Sequence, residues 1–378
     1  MHLADLHIGK SVNGISMLGE QKHAFEQVLG YIKAERPGAV IIAGDVYDRA
    51  VPGVEAVRAF DDFLTGLALT GTAVLLIPGN HDSPERISYA SRLLADRGVF
   101  LCGETGGAAR NVEMADEYGT VNFCLLPYIR PLMPRAAEDG RETGYGEALA
   151  AALDMAGIDF AARNVLVSHQ FYTRAGVAPM RSESEMDPIG GLDAIDAGLI
   201  ERFDYAALGH LHGAQCVGKE HIRYAGSPVK YSFSEWRQQK SVTLVELAEK
   251  GSLSVAALPL VPLRDMREIR GTLESLLGES SPPARGDDYL RVVLTDEEEL
   301  VDPMGKLRSA YPNIMSLGFD NTRTSIDISA ASAGAEAVEK LSPYDLFSEF
   351  FLEAQGAAMS AEQSGIVREL LEEAGRGL

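Results

Sequence analysis

The stretch "TAVLLIPGNHD", residues 72–82, decides the fold class, because a short apolar run stops at Pro-Gly and residues of metal-binding type follow at once. Other runs of this form are "AVIIAGD" (39–45), "VNFCLLPY" (121–128), "NVLVSHQ" (164–170) and "YAALGHLH" (205–212). Apolar runs this short, bounded by turn residues, predict strands that are buried on both faces.

Two stretches between these runs carry apolar residues at helical spacing, "EQKHAFEQVLGYIKAE" (20–35) and "VEAVRAFDDFLTGLAL" (54–69). In the first of them, Phe25, Val28 and Ile32 fall on one face. Doubly buried strands with helices between them predict an α/β sandwich whose helices lie outside the sheets. Functional residues of such sheets gather just beyond the carboxyl ends of the strands.

After residue 212 the pattern changes to strands without long helices. The segments "HIRYAGSPVKYSFSE" (221–235) and "KSVTLVELAEKGSLSVAALPLVPL" (240–263), the latter a hairpin turning near Lys250–Gly251, predict a second sheet that ends near Pro262. A small α+β module follows, then a linker and two helices, the last opened by a capping box of Ser360 and Gln363. The expected domains are 1–262, 263–331 and 332–378.

Composition limits the functions that the chain can have. A formal charge of −21 over 378 residues opposes simple binding to duplex DNA, so a DNA-acting protein of this kind needs metal ions, a local basic patch or a basic partner. The three cysteines, Cys102, Cys124 and Cys216, form no CxxC pair, which argues against a disulfide framework or a zinc ribbon. No apolar run approaches the ~20 residues of a membrane span. We therefore expect a cytoplasmic protein.

Five short motifs carry the chemistry, and five of the eight histidines lie in them. The motifs are "DLH" (5–7), "GDVYDR" (44–49), "GNHD" (79–82), "SH" (168–169) and "GHLH" (209–212). Carboxylate, imidazole and amide ligands without thiolate favour manganese, iron or magnesium over a structural zinc site. Each motif alone is also a common turn, but the ordered set at strand ends favours two ions about 3.5–4 Å apart, bridged by Asp45.

The ordered motifs resemble those of the calcineurin-like metallophosphoesterase superfamily. More narrowly, "HLADLHIGK", "GDVYDRAVP", "IPGNHDSPERISYASRLL", "DYAALGHLH" and "RYAGSPVKYSFSE" are similar to the SbcD family of bacterial nuclease subunits, over roughly residues 1–270 and more loosely beyond. The resemblance implies a two-sheet sandwich with a small capping domain and a C-terminal helical pair. It also implies two divalent ions, most readily manganese, with magnesium or iron as alternatives.

The resemblance assigns a role to each site residue. One ion is held by Asp5, His7, Asp45 and His212, and the other by Asp45, Asn80, His169 and His210. His81 is the expected catalytic histidine, which donates a proton to the leaving oxygen or stabilises its charge, and the Asp48 carboxylate orients it. No Ser or Cys nucleophile is required. His2, His23 and His221 are expected to be packing or surface residues.

The same resemblance implies a nuclease that works with an SbcC-type ATPase in DNA end processing, repair, recombination and replication. The implied activities are 3′→5′ exonuclease on duplex DNA and endonuclease on hairpin or single-stranded DNA. Three arginines at intervals of three are the expected DNA contacts: Arg264, Arg267 and Arg270. Lys230, Arg237 and Lys240 form a weaker basic candidate. A solvated face or internal salt bridges are the alternative for either set.

The C-terminal helices present an apolar stripe that either docks on the ATPase or folds back on the core. Its residues are Leu346, Phe347, Phe350, Phe351, Ile366 and Leu370. A homodimer within a heterotetramer is expected by analogy, with residues 86–98 as its contact.

Two other functions remain as alternatives. One is a metallophosphoesterase that acts on a nucleotide or phosphoprotein, and the other is a scaffold without activity.

The opening "MHLADLHIGK" (1–10) leaves almost no strand before Asp5, and a start upstream of Met1 is one expectation. We predict that this strand is short but inserted in the sheet, because Asp5 and His7 could not reach an ion otherwise.

Overall fold

The structure is a computed structural model that describes residues 1–103, 109–129, 144–185, 194–278, 287–321 and scattered positions between 344 and 367. The chain divides into two compact units. One comprises Met1–Leu294 with Leu300–Gly318, and the other Thr295–Glu299 with Phe319–Leu378. Among the described residues, no helix has both the length and the apolar character needed to cross a membrane.

The first hundred residues alternate strands with helices, as the sequence predicts. Their strands are β1 (His2–Leu3), β2 (Ser11–Val12), β3 (Ile15–Ser16), β4 (Ala39–Ala43), β5 (Ala73–Ile77) and β6 (Val99–Leu101). Their helices are α1 (Leu18–Glu35), α2 (Val54–Leu69), α3 (Pro84–Ile87) and α4 (Ser91–Ala95). The strands β1, β4, β5 and β6 pair in parallel, whereas β2 and β3 form a separate ribbon.

A second sheet of six strands follows. The elements of this region are β7 (Arg110–Asp116), β8 (Gly119–Leu126), α5 (Tyr145–Met155), β9 (Arg163–Ser168), β10 (Tyr172–Thr173), β11 (Ile195–Asp196), a short 3-10 helix (Ala197–Ile200), β12 (Tyr205–Leu208), β13 (Gln215–Val217) and β14 (Lys219–Tyr224). The strand order of the sheet is β13-β14-β12-β9-β8-β7, and its four inner strands are parallel. The strands β10 and β11 form a separate pair.

The predicted hairpin exists, but it belongs to the first sheet. A 3-10 helix (Phe233–Glu235) leads to β15 (Ser241–Leu247) and β16 (Leu253–Pro259), which pair antiparallel. The strand β15 then pairs with β1, so the first sheet has the order β16-β15-β1-β4-β5-β6. The expectation that the hairpin extends the second sheet is therefore wrong, because β1 leaves an edge beside it that the hairpin fills.

The first strand is short and internal, which confirms its prediction. Only His2 and Leu3 are in β1, yet His2 pairs with Ile41 of β4 on one side and with Thr243 of β15 on the other. A two-residue strand is stabilised by ladders on both edges. It fixes the direction in which the chain leaves the sheet toward Asp5.

The two large sheets share an apolar layer between them, and a second layer covers each outer face. Along β4, Val40 and Ile42 pack under the helices α1 and α2, whereas Ile41 belongs to the layer between the sheets. Along β9, Val165 faces that same layer and Leu166 faces the outer cluster beside α5. Side chains alternate between faces along a strand, so runs that are apolar at every position are what a doubly covered sheet requires.

A smaller module begins after residue 263. Its elements are β17 (Met266–Gly271), α6 (Leu273–Leu277), β18 (Tyr289–Leu294), α7 (Pro303–Ala310) and β19 (Ile314–Phe319). The strands form a three-stranded sheet in the order β17-β18-β19, and a cluster of its own, including Leu276, Val292 and Leu307, fills the space under the helices. This order of elements is the α+β pattern that the sequence predicts.

The predicted capping box at the C-terminal helix is present. The backbone N–H of Ser360 donates to Oε1 of Gln363 at 2.9 Å, and the N–H of Gln363 donates to Oγ of Ser360 at 3.2 Å. Two donors that a helix start leaves without partners are thereby satisfied reciprocally.

Candidate metal centre

The candidate ligands follow the carboxyl ends of strands from both large sheets, and the backbone is strained there. Asp5, His7, Asp45 and His210 have positive φ angles of 54°, 42°, 50° and 106°. Residues other than glycine rarely adopt this backbone, and it is found where a fold holds functional side chains against its own preference. Four of the nine non-glycine residues with a positive φ in the described part of the chain are predicted ligands, so these turns hold candidate side chains in an uncommon backbone conformation.

Two glycines leave room for the side chains of candidate ligands. A Cβ at Gly44 would lie 2.2 Å from Nδ1 of His169, and one at Gly79 would lie 2.2 Å from Oδ1 of Asp45. Both distances are far below van der Waals contact. The glycine in each motif is therefore a packing requirement of the side chain that it faces, as well as a turn residue.

The Asp45 carboxylate lies at the middle of the cluster. Its Oδ2 is 3.6 Å from Nε2 of His7 on one side and 3.3 Å from Nε2 of His169 on the other. Its Oδ1 accepts a hydrogen bond from the backbone N–H of His81 at 2.9 Å. One carboxylate oxygen thus faces imidazoles from two separate groups of ligands, which is the position that a bridging ligand needs.

The first group, here called the His7 half, comprises Asp5, His7 and His212. All three side chains are buried, and their ligand atoms lie within 4.8 Å of one another. The Nε2 atoms of His7 and His212 are 3.0 Å apart. The Asp5 carboxylate is fixed by the N–H of His210, at 2.9 Å from Oδ1 and 3.2 Å from Oδ2.

The second group, here called the His169 half, comprises Asn80, His169 and His210. Nδ1 of His169 donates to the carbonyl of Ala43 at 2.7 Å, so its Nε2 faces the centre with a free electron pair in the neutral ring. Oδ1 of Asn80 lies 3.2 Å from Nε2 of His169 and 3.2 Å from Nδ1 of His210. The three side chains therefore converge on one point.

Burial and neighbouring charges both shift the pKa values of these groups. Burial raises the pKa of the Asp5 carboxyl well above its usual value, and the Asp45 charge adds to this. Burial also acts to raise the pKa of Asp45, but His169 outweighs it and holds that pKa well below the usual range. Burial lowers the pKa of His210 to about 3, whereas in His169 the Asp45 carboxylate overcomes burial and raises the pKa to about 9.

The donor set fits divalent cations. Two buried carboxylates, four imidazoles and one amide oxygen offer the oxygen and nitrogen ligands that borderline divalent ions prefer. Nδ1 of His7 is buried and has no hydrogen-bond partner among the described residues. A positive charge between Asp5 and Asp45 would offset the repulsion that raises the pKa of Asp5.

His81 lies at the edge of the cluster. Its Nδ1 is 2.9 Å from the backbone carbonyl of Asp48, and its ring meets that of His7 edge-on at 4.8 Å between centroids. The Asp48 carboxylate accepts instead from Nζ of Lys10 at 2.8 Å. The structure orients His81 through the backbone carbonyl of Asp48 and not through the Asp48 carboxylate, because Lys10 engages that carboxylate.

The sequence pattern missed a clamp on the loop of His7. Gln21, fully buried on α1, donates from Nε2 to the carbonyl of His7 at 2.7 Å and to Oη of Tyr231 at 3.0 Å. Its Oε1 accepts from the N–H of Gly9 at 3.0 Å. A glutamine inside a helix gives no signal of this role in the sequence, because its partners are backbone groups of another segment.

Asp82, the last residue of "GNHD", ties two of the motif loops together. Its carboxylate accepts from the N–H groups of Val46 at 3.0 Å, Tyr47 at 2.9 Å and Gly79 at 2.9 Å. Burial, with the Asp45 charge, raises its pKa to about 6 despite these donors. Here the motif pointed to the residue but not to its structural role.

The three arginines predicted to contact DNA are not lined up. Arg267 and Arg270 lie three apart on the strand β17, where side chains alternate, so they face opposite sides. Nε of Arg267 pairs with Asp288 at 2.7 Å, and Arg264 with Glu20 at 3.4 Å. A spacing of three would align side chains on a helix; the strand replaces the basic strip with internal salt bridges.

The weaker basic candidate is also engaged within the protein. Nζ of Lys230 pairs with Asp265 at 2.7 Å, and Nζ of Lys240 pairs with Glu235 at 2.6 Å. The Arg237 guanidinium lies over the Trp236 ring at 4.5 Å from its centroid.

The predicted partner stripe is described only in part. Phe347 and Ile366 are exposed and Phe351 is half-buried. The side chains of Leu346, Phe350 and Leu370 lie outside the described residues. Of the histidines predicted not to be ligands, His2 lies against Oη of Tyr205 at 2.9 Å, and Nε2 of His221 lies 3.3 Å from the carbonyl of Glu201.

Two protein families match parts of this chain. Residues 1–129 match the calcineurin-like phosphoesterase family, and residues 262–355 match the family described as the type 5 capsule protein repressor C-terminal domain, SbcD_C. A dimetal phosphatase from Danio rerio has a TM-score of 0.39 and 12% identity, covering 69% of this chain and 95% of that one. The strand-end ligands and the family match define a calcineurin-like metallophosphoesterase.

Two bacterial relatives narrow the assignment, and both are SbcD proteins of the nuclease SbcCD. The SbcD protein of Staphylococcus epidermidis is 30% identical over 84% of this chain and 84% of its own length. That of Staphylococcus saprophyticus is 28% identical over 98% of this chain and 97% of its own length. The chain belongs to the SbcD family.

Proposed function

We propose that the protein is the nuclease component of an SbcCD-type complex, a phosphodiesterase that cleaves DNA with two divalent ions. The observation that carries this proposal is the position of Asp45, whose Oδ2 lies within 3.6 Å of His7 and 3.3 Å of His169. Membership of the SbcD family supports DNA as the substrate. The activities that we propose are 3′→5′ exonuclease on duplex ends and endonuclease on hairpin or single-stranded DNA.

The proposed ligand sets follow the two halves. Asp5, His7, Asp45 and His212 would hold one ion, and Asp45, Asn80, His169 and His210 the other. We propose manganese on the strength of the family resemblance, and magnesium and iron are alternatives that the same oxygen and nitrogen ligands could hold. Bound ions would neutralise phosphate oxygens and activate water for in-line attack.

The protein's own groups position the reacting phosphate and the proton. The proposed catalytic role of His81 is to donate a proton from Nε2 of the doubly protonated ring to the leaving oxygen, while the Nδ1 proton stays on the Asp48 carbonyl at 2.9 Å. The N–H of His81 also holds Oδ1 of Asp45, so this residue links the shared carboxylate to the acid. The backbone position of His81 therefore fixes both the Asp45 carboxylate and the proton donor.

The acidic chain needs help to hold DNA, and an SbcC-type ATPase is the proposed source of that help. We propose residues 332–378 as the docking segment and 263–331 as a capping domain that contacts DNA. A homodimer could form through residues 86–98, where Tyr89 and Leu93 are 81% and 76% exposed. A cytoplasmic location fits an enzyme of chromosomal DNA.

The test is manganese-dependent cleavage of end-labelled duplex and hairpin DNA, with and without an SbcC-type partner. We expect His81→Ala to slow cleavage by about 10²–10⁴-fold while manganese binding is retained. His23→Ala, a matched change on α1 away from the cluster, should cleave as the wild type does. Absence of cleavage by wild-type protein with both ions bound would overturn the proposal, and hydrolysis of small phosphodiesters alone would favour a nucleotide-directed enzyme.

A further inference from the structure

His212 is held at every polar atom except the one that faces the metal centre. Its backbone N–H donates to Oε1 of Glu185 at 2.6 Å, and its carbonyl accepts from Nζ of Lys240 at 2.8 Å. Its ring Nδ1 is 2.7 Å from Oγ of Ser184. The remaining ring atom, Nε2, lies 3.0 Å from Nε2 of His7.

The direction of the Ser184 hydrogen bond follows from counting protons. A serine hydroxyl has one hydrogen, and Oγ of Ser184 also lies 2.7 Å from Oε1 of Glu235. A carboxylate can only accept, so the hydroxyl hydrogen goes to Glu235 and Oγ must accept from His212. In the neutral ring, His212 therefore carries its proton on Nδ1, and its Nε2 presents an electron pair to the centre.

Glu235 is fixed as the acceptor at the end of this chain. It is completely buried on the 3-10 helix Phe233–Glu235, and its other oxygen, Oε2, accepts from Nζ of Lys240 at 2.6 Å. Oγ of Ser232 donates to Oε1 at 3.0 Å. The same lysine holds the carbonyl of His212, so the buried ion pair contacts that histidine from two directions.

We propose that Ser184 and Glu235 are positioning residues that keep His212 in the Nδ1–H tautomer and so preorganise the His7 half for a divalent cation. Neither residue belongs to the five ligand motifs. An acceptor on the far ring nitrogen of a histidine ligand fixes its orientation and raises its basicity. The inference rests on the proposed metal site, but not on the nuclease activity proposed for it.

The first test reads the tautomer directly in metal-free protein. Nitrogen-15 NMR of labelled histidine side chains, with the His212 signal identified from its absence in His212→Gln, should report Nδ1–H for the wild type. Ser184→Ala removes the acceptor and should shift the His212 signal toward a mixture of tautomers. Ser184→Thr keeps the hydroxyl and should restore the wild-type signal, which a loss of packing alone would not explain.

The second test measures manganese binding by calorimetry on the full chain. Ser184→Ala and Glu235→Gln should each weaken one of the two Mn²⁺ ions by about 10–100-fold and leave the other at wild-type affinity. Ser254→Ala is a matched control, because Oγ of Ser254 also donates to a carboxylate, Glu246 at 3.0 Å, but on the exposed hairpin. It should bind both ions as the wild type does.

The outcomes separate this inference from the proposed function. An unchanged His212 signal in Ser184→Ala, or equal weakening of both ions, overturns the positioning role. A changed tautomer with one weakened ion supports it, even in a protein that cleaves no DNA. Glu235→Gln supplies an independent reading, because it leaves the serine in place and changes its partner from a carboxylate to an amide. It also removes the charge that pairs with Lys240, so its Tm is measured beside its Mn²⁺ affinity.

Discussion

The two halves of the metal centre present similar ligands but are held by different means. In the His169 half, the ring is fixed by a main-chain carbonyl, that of Ala43 at 2.7 Å on β4. In the His7 half, the corresponding anchors are side chains: Ser184 on His212 and Gln21 on the His7 loop. Backbone anchors come with the sheet itself, whereas side-chain anchors depend on single residues from distant segments.

This difference predicts where substitution is tolerated. A carbonyl of β4 cannot be removed without changing the strand, so the His169 half should keep its geometry in most variants. The His7 half should be the more adjustable one, because the side-chain anchors of His7 and His212 can each be lost by one mutation, although Asp5 is held by the backbone N–H of His210. Asp45 belongs to both halves and is the position at which they should fail together.

The largest expected effect is therefore that of Asp45→Asn. The amide keeps the side-chain shape and an acceptor for the N–H of His81, but it removes the charge that both halves face. We expect the affinity for both Mn²⁺ ions to fall by more than about 100-fold, measured by calorimetry and by loss of the manganese-induced rise in Tm. Asp62→Asn, an exposed carboxyl on α2, is the matched control. Loss of only one ion would mean that Asp45 does not bridge.

A second prediction distinguishes the two halves by how Tm depends on pH in metal-free protein. The pKa of His169 is raised to about 9 against about 6.5 in an unfolded chain. Protonated His169 therefore stabilises the fold fully below pH 6.5, and this contribution, roughly 3 kcal/mol, is lost as the pH rises through 9. Tm measured in chelator should fall over this range.

Two variants sharpen that pH test. His169→Gln should remove most of the fall in Tm between pH 6.5 and 9. His7→Gln should leave it in place, because burial lowers the pKa of His7 and its contribution changes only below pH 6.5. An equal response from both variants would show that the halves are not electrostatically distinct.

The sequence was informative where structure is local. The apolar runs at β4 and β5 and the helices α1 and α2 follow from patterns within one element, and the glycines at 44 and 79 mark turns that must approach a ligand closely. These features predicted the α/β sandwich and the clustering of histidines at one edge. The ligands come together because the carboxyl ends of parallel strands share that edge.

The sequence was uninformative where pairing is long-range. The alternation in β15 and β16 predicts a hairpin but not that it pairs with β1, more than 200 residues earlier. The spacing of Arg264, Arg267 and Arg270 would place the side chains on one face of a helix, but it places neighbours on opposite faces of a strand. Ser184 and Gln21 act on atoms of segments far away in the chain, and no pattern around either residue could reveal that.

Gln21 gives the smallest of the expected effects and the cleanest comparison. Gln21→Leu keeps the volume but removes the donor to the His7 carbonyl, so the His7 loop loses its clamp while the His169 half is untouched. We expect one Mn²⁺ ion to bind about tenfold more weakly, with a loss of about 1–3 kcal/mol in stability from the unsatisfied buried carbonyl. Calorimetric titration and urea unfolding measure the two quantities.

The matched control lies on the same helix. Gln27 also clamps a backbone segment through both amide atoms, donating to the carbonyl of Val261 at 2.8 Å and accepting from its N–H at 2.9 Å, but it touches no ligand loop. Gln27→Leu should therefore cost stability without changing the affinity for either ion. If both variants weaken manganese binding equally, the effect comes from helix docking in general, and the His7 half has no dedicated clamp.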